Sequence, residues 1–309
     1  MFSGQGSQYF QMGAALYQAN AVFRAEMTRL DAVVRQLSGR SVLEALYEPG
    51  RALSSPFDQT SVSHPAIVMV EYALAQALVH AGVKPDIVLG ASLGSFTAAA
   101  LAGALRIEDA LAAALAHARA LEQRCPPGGM VAVLESAELY KEDFIRNNAE
   151  LAAVNFESHF VISAPSAQCA AIEAELGRRD IPCQRIAVSF AFHSRWIEDA
   201  RSDFEAALRA LPIRPLQLPF VCCDRAAVLT QLHAGYFWDV TRHPIRFPEA
   251  IAQLERDGAC RYLDLGPAGT LATFLKYLLP RSTCSTAQAI LTPYGQDLRN
   301  WTQATAPGP

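Results

Sequence analysis

The chain has 309 residues, 51 % of them apolar and 18 % charged, with a net charge of −4. That length can bury one large core and a smaller second one, and the mild acidity excludes the clustered basic face that a nucleic-acid partner needs. The seven cysteines (Cys125, Cys169, Cys183, Cys222, Cys223, Cys260, Cys284) form no C-x-x-C pair, so they read as buried thiols of a reducing cytoplasm, not as zinc or redox ligands.

The N-terminal stretch lacks the basic segment, apolar run and cleavage site of an export signal, and the longest apolar run, residues 67–79, is interrupted by Glu71; neither export nor membrane insertion is expected. The chain opens on Gly4-Gln5-Gly6-Ser7-Gln8, where a strand-ending turn would normally follow several apolar residues, so a first strand is expected to be very short or cut away. Helical spacing runs from Ala14 to Leu46. It returns over 65–79 with Ile67, Val70, Ala73, Leu74 and Leu78 on one face. Ile87-Val88-Leu89 reads as a buried strand, and a helical pattern after Gly94 continues to about Gln123, where Pro126-Pro127-Gly128-Gly129 stops it.

The middle of the chain changes character. Residues 130–134 predict a strand, 137–147 a helix, 152–155 and 160–163 a hairpin, 166–178 a helix and 183–188 a strand. That βαββαβ order is the ferredoxin-like unit. Further on, 219–223 and 261–265 read as strands, 248–257 as helical turns, and Gly266-Pro267 as a turn into a helix near Gly269. The expected fold class is α/β: a large α/β-hydrolase-like domain of residues 1–125 and 190–309, with a small ferredoxin-like domain of residues 126–189 inserted. Substrate is expected in the cleft between them.

Gly90-Ala91-Ser92-Leu93-Gly94 matches G-x-S-x-G directly after the strand and before a helix, the context in which that pattern marks a nucleophile. Flanking glycines allow the tight turn that lifts the hydroxyl, and the helix N-terminus favours developing negative charge. A serine hydroxyl needs a base, and the seven histidines supply several candidates. His193 lies where the small domain returns to the large one. His64, before Pro65, reads as a helix-start residue, and His80, His159, His233 and His243 as exposed segment ends.

Five segments, Phe2-Ser3-Gly4-Gln5-Gly6-Ser7-Gln8, Gly90-Ala91-Ser92-Leu93-Gly94, Ala152-Ala153-Val154-Asn155, Ala191-Phe192-His193-Ser194 and Leu263-Asp264-Leu265-Gly266-Pro267, occur in that order. In this the chain resembles the malonyl-CoA:acyl-carrier-protein transacylases, a family that includes the acyltransferase domains of polyketide synthases. The resemblance spans nearly the whole chain. It implies Ser92 as nucleophile, His193 as general base, an oxyanion hole from Gln5 and the Leu93 N–H, and a backbone carbonyl near Val240, in place of an aspartate, to orient the histidine. His117, Phe190, Phe192 and Asn155 would line the acyl site. A cytoplasmic monomer is expected, with no metal, since the histidines and cysteines lack ligand spacing, no bound cofactor, and no nucleic-acid or membrane partner. The acyl group would arrive on the phosphopantetheine of an acyl-carrier protein or on CoA, and some of Arg195, Arg201, Arg242 and Arg246 would dock the acidic carrier.

Two departures from the family matter. The motif Gly-His-Ser-x-Gly-Glu has Ala91 and Ser95 here, which leaves the nucleophile intact. An ungapped alignment of residues 90–130 puts His117 where the relatives carry the arginine that grips a malonyl carboxylate. Histidine is mostly neutral at pH 7, and burying a carboxylate without its partner costs about 2 to 5 kcal/mol, roughly 30- to several-thousand-fold. Arg119 is two residues on, about 200° around the helix, and cannot point into the same cleft.

A missing arginine resembles the free-standing acyl hydrolases that clear stalled acyl groups from carrier proteins, and residues 236–240 and 269–274 look like that branch. The expectation is a hydrolase of monocarboxylic acyl-carrier-protein thioesters. A transferase uses the same pair of residues with a thiol in place of water. A non-catalytic scaffold is opposed by the intact Gln5, Ser92 and His193. An α/β-hydrolase esterase is opposed by the glutamine loop and the inserted unit, and also needs an acid between serine and histidine.

Overall fold

A computed structural model describes residues 1–306. The first 124 residues are helical around one short strand: α1 (Ala14–Ala19), α2 (Ala21–Ser38), α3 (Val42–Leu46), α4 (Thr60–His80), β1 (Val88–Gly90), α5 (Gly94–Leu101) and α6 (Ile107–Arg124). Local chemistry sets several of the starts. The Asn20 side chain accepts from the N–H groups of Val22 and Phe23 to cap α2, and the Asp31 carboxylate takes the free N–H groups of Val42 and Leu43 at the head of α3. Helix α4 is apolar nearly all round and is packed between α2, α5 and α6, with Ile67, Val68, Met69, Val70 and Leu74 fully buried. It is long and apolar enough to cross a membrane, but most of it is covered by protein. The expected continuous helix after Gly94 is broken, because Gly103, at φ 80°, closes α5 before α6 begins.

The middle segment forms its own sheet, from β2 (Gly128–Val133), β3 (Glu150–Phe156), β4 (His159–Pro165) and β5 (Cys183–Arg185), in the antiparallel order β3-β4-β2-β5. A separate apolar cluster, with Val131, Val133, Phe160, Ile162, Ile172 and Leu176, fills its interior. The helix expected over 137–147 is instead a 3-10 turn, Ala137–Lys141, and a single α-turn, α7 (Asp143–Arg146), separated by the extended Glu142. Helix α8 (Ser166–Arg178) falls where its spacing placed it.

The second half supplies α9 (Arg201–Leu208), β6 (Phe220–Cys222), β7 (Ala227–Leu229), α10 (Tyr236–Arg242), α11 (Phe247–Asp257), β8 (Arg261–Asp264), α12 (Thr270–Leu278), β9 (Thr286–Ala289) and α13 (Asp297–Thr305). Strand β1 pairs in parallel with β6, and β8 in parallel with β9. Two N-terminal residues join these sheets. The Phe2 N–H donates to Leu89 O at 2.8 Å and Phe2 O accepts from Ala91 N–H, while Met1 O accepts from Leu265 N–H. The N-terminal strand is therefore a single bridge. Of the seven cysteines, all thiols, only Cys169, Cys222 and Cys223 are buried; Cys284 is exposed and the other three are half-buried, a correction to the expectation of uniformly buried sulfur.

Candidate active site

Ser92 sits between β1 and α5 with φ 53°, left-handed for a residue with a Cβ, a strained turn of the kind found at reacting serines. The turn exists because its flanks are glycines. A Cβ on Gly90 would lie 2.4 Å from Ser95 Cα, and one on Gly94 would lie 2.2 Å from Phe2 O. The N-terminal loop closes over the same turn, and a Cβ on Gly4 would meet Ser92 Cβ at 2.8 Å.

Ser92 Oγ is 2.9 Å from His193 Nε2. His193 also has a left-handed φ, 59°, and its N–H donates to Thr241 O. Its Nδ1 lies 2.6 Å from the backbone carbonyl of His243. The carbonyl expected near Val240 is thus that of His243, three residues on. It lies just past the end of α10, where carbonyls lack helical partners. A carbonyl only accepts, so Nδ1 carries the proton and Nε2 presents its lone pair to the serine hydroxyl. Burial pushes the imidazole down to about 4, against the His243 carbonyl, which favours the protonated form. The ring is neutral at pH 7, the state in which it can take a proton.

Leu93 stands at the N-terminus of α5, and its N–H has no acceptor among the described residues. Gln5 Nε2 donates to Ser63 Oγ at 2.9 Å and Gln5 Oε1 is hydrogen-bonded to His64 Nε2. His64 is therefore not the helix-start residue expected. Helix α4 begins four residues earlier, His64 lies a full turn inside and is 1 % exposed, and burial lowers its ring to about 3. Sequence reading missed Ser63 and His64 because Pro65 suggested a later start.

His117 is fully buried on the inner face of α6, stacked on His64 with ring centres 5.4 Å apart. Phe96, Phe192, Phe204 and Trp238 surround it. Arg119 lies on the opposite face, exposed, and donates to Leu37 O at 2.7 Å; it does not enter the site. Phe190 and Phe192 are buried and meet edge to face. Asn155 is buried but hydrogen-bonds His159 within its own hairpin, and none of its hydrogen bonds reaches Ser92, His193 or His117.

Each of the four candidate docking arginines is already paired: Arg195 with Glu150, Arg201 with Glu198 and Glu205, Arg242 with Glu198, and Arg246 with Glu249. All four are surface pairs, of the weakly held kind. Histidine and cysteine spacing gave no metal motif, yet Asp224, Asp239 and His243 converge to within 4.8 Å; the His243 imidazole lies 3.0 Å from Asp224. The Leu263–Pro267 segment is framework, since the Asp264 carboxylate accepts from the N–H groups of Gly266 and Ala272.

Fold and site together define an α/β protein with a serine–histidine pair at a strand-to-helix turn. Residues 1–300 match the acyl transferase domain family. The chain is 40 % identical to the polyketide biosynthesis acyltransferase homolog PksD of Bacillus subtilis, covering 97 % of this chain and 93 % of that one. It is 43 % identical to the homolog BaeD of Bacillus velezensis, covering 96 % and 92 %. The solved acyltransferase domain from module 8 of the salinomycin polyketide synthase superposes with a TM-score of 0.87 at 27 % identity, covering all of this chain and 75 % of that one. The chain belongs to the acyl transferase domain family and is an enzyme of that family.

Proposed function

We propose that this protein is a serine-dependent acyl-thioester enzyme of polyketide biosynthesis, working in the cytoplasm on acyl groups carried by the phosphopantetheine of an acyl-carrier protein, with hydrolysis as its reaction. The observation that carries the acyl chemistry is the hydrogen-bonded chain Ser92–His193–His243 carbonyl. His193 Nε2 takes the Ser92 proton as Oγ attacks the thioester carbonyl. The tetrahedral oxyanion would be met by the Leu93 N–H and Gln5, a stabilisation of about 3 to 4 kcal/mol per donor. Collapse breaks the C–S bond and the thiol leaves with the proton from His193. Water, deprotonated in turn by His193, then releases the free acid from the serine ester. Residues 126–189 are read as a ferredoxin-like small domain roofing this site.

Hydrolysis of monocarboxylic groups is favoured by the neutral His117 and the outward Arg119, which leave no cation for a second carboxylate. Transfer to a carrier thiol is the alternative, supported by the relatives named acyltransferase homologs. The test is intact-mass spectrometry of carrier protein loaded with acetyl, butyryl or malonyl, incubated with the enzyme or Ser92→Ala. Bare carrier from the acetyl and butyryl samples, malonyl carrier intact and an inert variant are expected. Loading of an empty carrier from acyl-CoA without net release would replace hydrolysis by transfer. Preferential use of malonyl would refute the role given to His117.

A further inference from the structure

His117 has two polar ring atoms and no partner for either, although the ring is fully buried. Buried polar atoms are nearly always satisfied, and an unsatisfied pair calls for an explanation. The indole Nε1 of Trp238 is also buried and without a partner, and its ring meets the His117 ring edge-on with centres 6.5 Å apart. The rest of the surroundings are Phe96, Phe192 and Phe204, which offer no hydrogen bond, and the stacked face of His64, whose own nitrogens are engaged with Ala114 O and Gln5. Phe192 adjoins His193, and His64 holds Gln5 in the loop that closes on Ser92, so the His117 ring packs directly behind the residues that frame the serine.

The groups left open have a defined character. Neutral imidazole offers one donor and one acceptor, and indole offers one donor. Burial, together with the neighbouring imidazoles of His64 and His193, disfavours a proton on His117. A carboxylate would therefore find two neutral donors and no countercharge in an aromatic enclosure, whereas a hydroxyl or carbonyl oxygen can accept from either donor, and a hydroxyl can also donate to the bare nitrogen.

From the three orphaned atoms on His117 and Trp238 we infer that the acyl site selects chains bearing an uncharged oxygen, 3-hydroxyacyl or 3-oxoacyl groups, over plain alkanoyl and dicarboxylic ones. This deepens the acyl-serine reading above and rests on it. His117 and Trp238 are then specificity determinants, not proton-transfer groups.

The test uses the full chain and carrier protein loaded separately with butyryl, 3-hydroxybutyryl, 3-oxobutyryl and malonyl groups, scoring both released carrier and the acyl adduct on Ser92 by intact mass. A hydrogen bond to otherwise unpaired buried groups predicts a preference of about tenfold or more for an oxygen-bearing chain over butyryl. His117→Phe, a ring of similar size without nitrogens, is expected to bring that ratio to about one, and Trp238→Phe to lower it. A wild-type ratio near one for both oxygen-bearing chains, as when water alone fills the space, would overturn the inference even if neither variant folds. An undiminished ratio in folded His117→Phe would overturn it too. Absence of both adduct and release from every carrier would instead sink the acyl-serine reading, and this inference with it.

Discussion

Replacing His117 by phenylalanine tests the charge state of the site without any substrate. Burial and the neighbouring histidines hold the folded ring's pKa well below the ordinary 6.5, so at pH 5.5 it is unprotonated when folded and about 90 % protonated when unfolded. A depressed pKa contributes stability that is fully present above the unfolded value and is lost as pH falls below it. Between pH 7.5 and 5.5 the wild-type protein should lose about 1.4 kcal/mol through His117 alone, which the phenylalanine variant cannot lose. At about 0.65 kcal/mol/K of unfolding entropy for this length, the variant's melting temperature should gain about 2 °C on wild type over that interval. At pH 7.5 the variant should be no less stable, because two unsatisfied polar atoms are removed and the aromatic neighbours accept a benzene ring. Thermal scans of both proteins at the two pH values decide it, the difference cancelling other titrating groups such as Glu71, whose raised pKa works in the opposite direction. A pH-independent difference, or a loss for the variant at pH 5.5, would mean that His117 is charged in the fold.

Three further outcomes are expected. Acyl transfer to Ser92 should follow an acid limb near pH 4, set by the buried His193; a limb near 6.5, measured from single-turnover acylation rates, would mean that the working ring is solvated. Gly4→Ala should leave the protein folded but cut acylation at least tenfold, because the added methyl, 2.8 Å from Ser92 Cβ, must move either the loop or the serine; unchanged acylation would separate the loop from the reacting geometry. Gly94→Ala should prevent folding or drop the melting temperature by several degrees, since its Cβ would sit 2.2 Å from the rigid backbone oxygen of Phe2; differential scanning would show this directly.

The elements that carry the site were legible where their signal is local. The strand before Ser92 is an apolar run ended by glycine, α8 buries Cys169, Ile172 and Leu176 at helical spacing, and the hairpin is two short apolar runs around a polar turn. What escaped lacks such a signal. Strand β7 is three residues and β9 is the half-buried Thr286–Ala289, too short for a period to register. The break between α5 and α6 turns on one glycine inside an otherwise continuous helical pattern. The group that orients His193 is a backbone carbonyl, and a carbonyl has no side chain to read; its residue, His243, was noticed only as an exposed imidazole. The Ser63–His64–Gln5 contacts join residues 58 and 59 positions apart, a separation that no spacing rule spans.

The two stacked imidazoles explain why changing position 117 changes more than one side chain. With ring centres 5.4 Å apart and aromatic rings around them, a proton on either ring would place a charge against its neighbour, a repulsion that a poorly screened interior magnifies. The pair is therefore uncharged as a unit. Glu71, also fully buried on α4, does not balance it, since its oxygens accept from Ser3 N–H and Thr97 Oγ and burial raises its pKa. An arginine introduced at 117 would meet aromatic faces and a neutral histidine that already serves Gln5, so it would have to carry its charge unpaired until a dicarboxylic substrate arrived. On the acyl site inferred above, selection among acyl groups would depend on which of them can shed water into a neutral, hydrogen-bonding enclosure, and the unsatisfied nitrogens would be the stability given up for that choice.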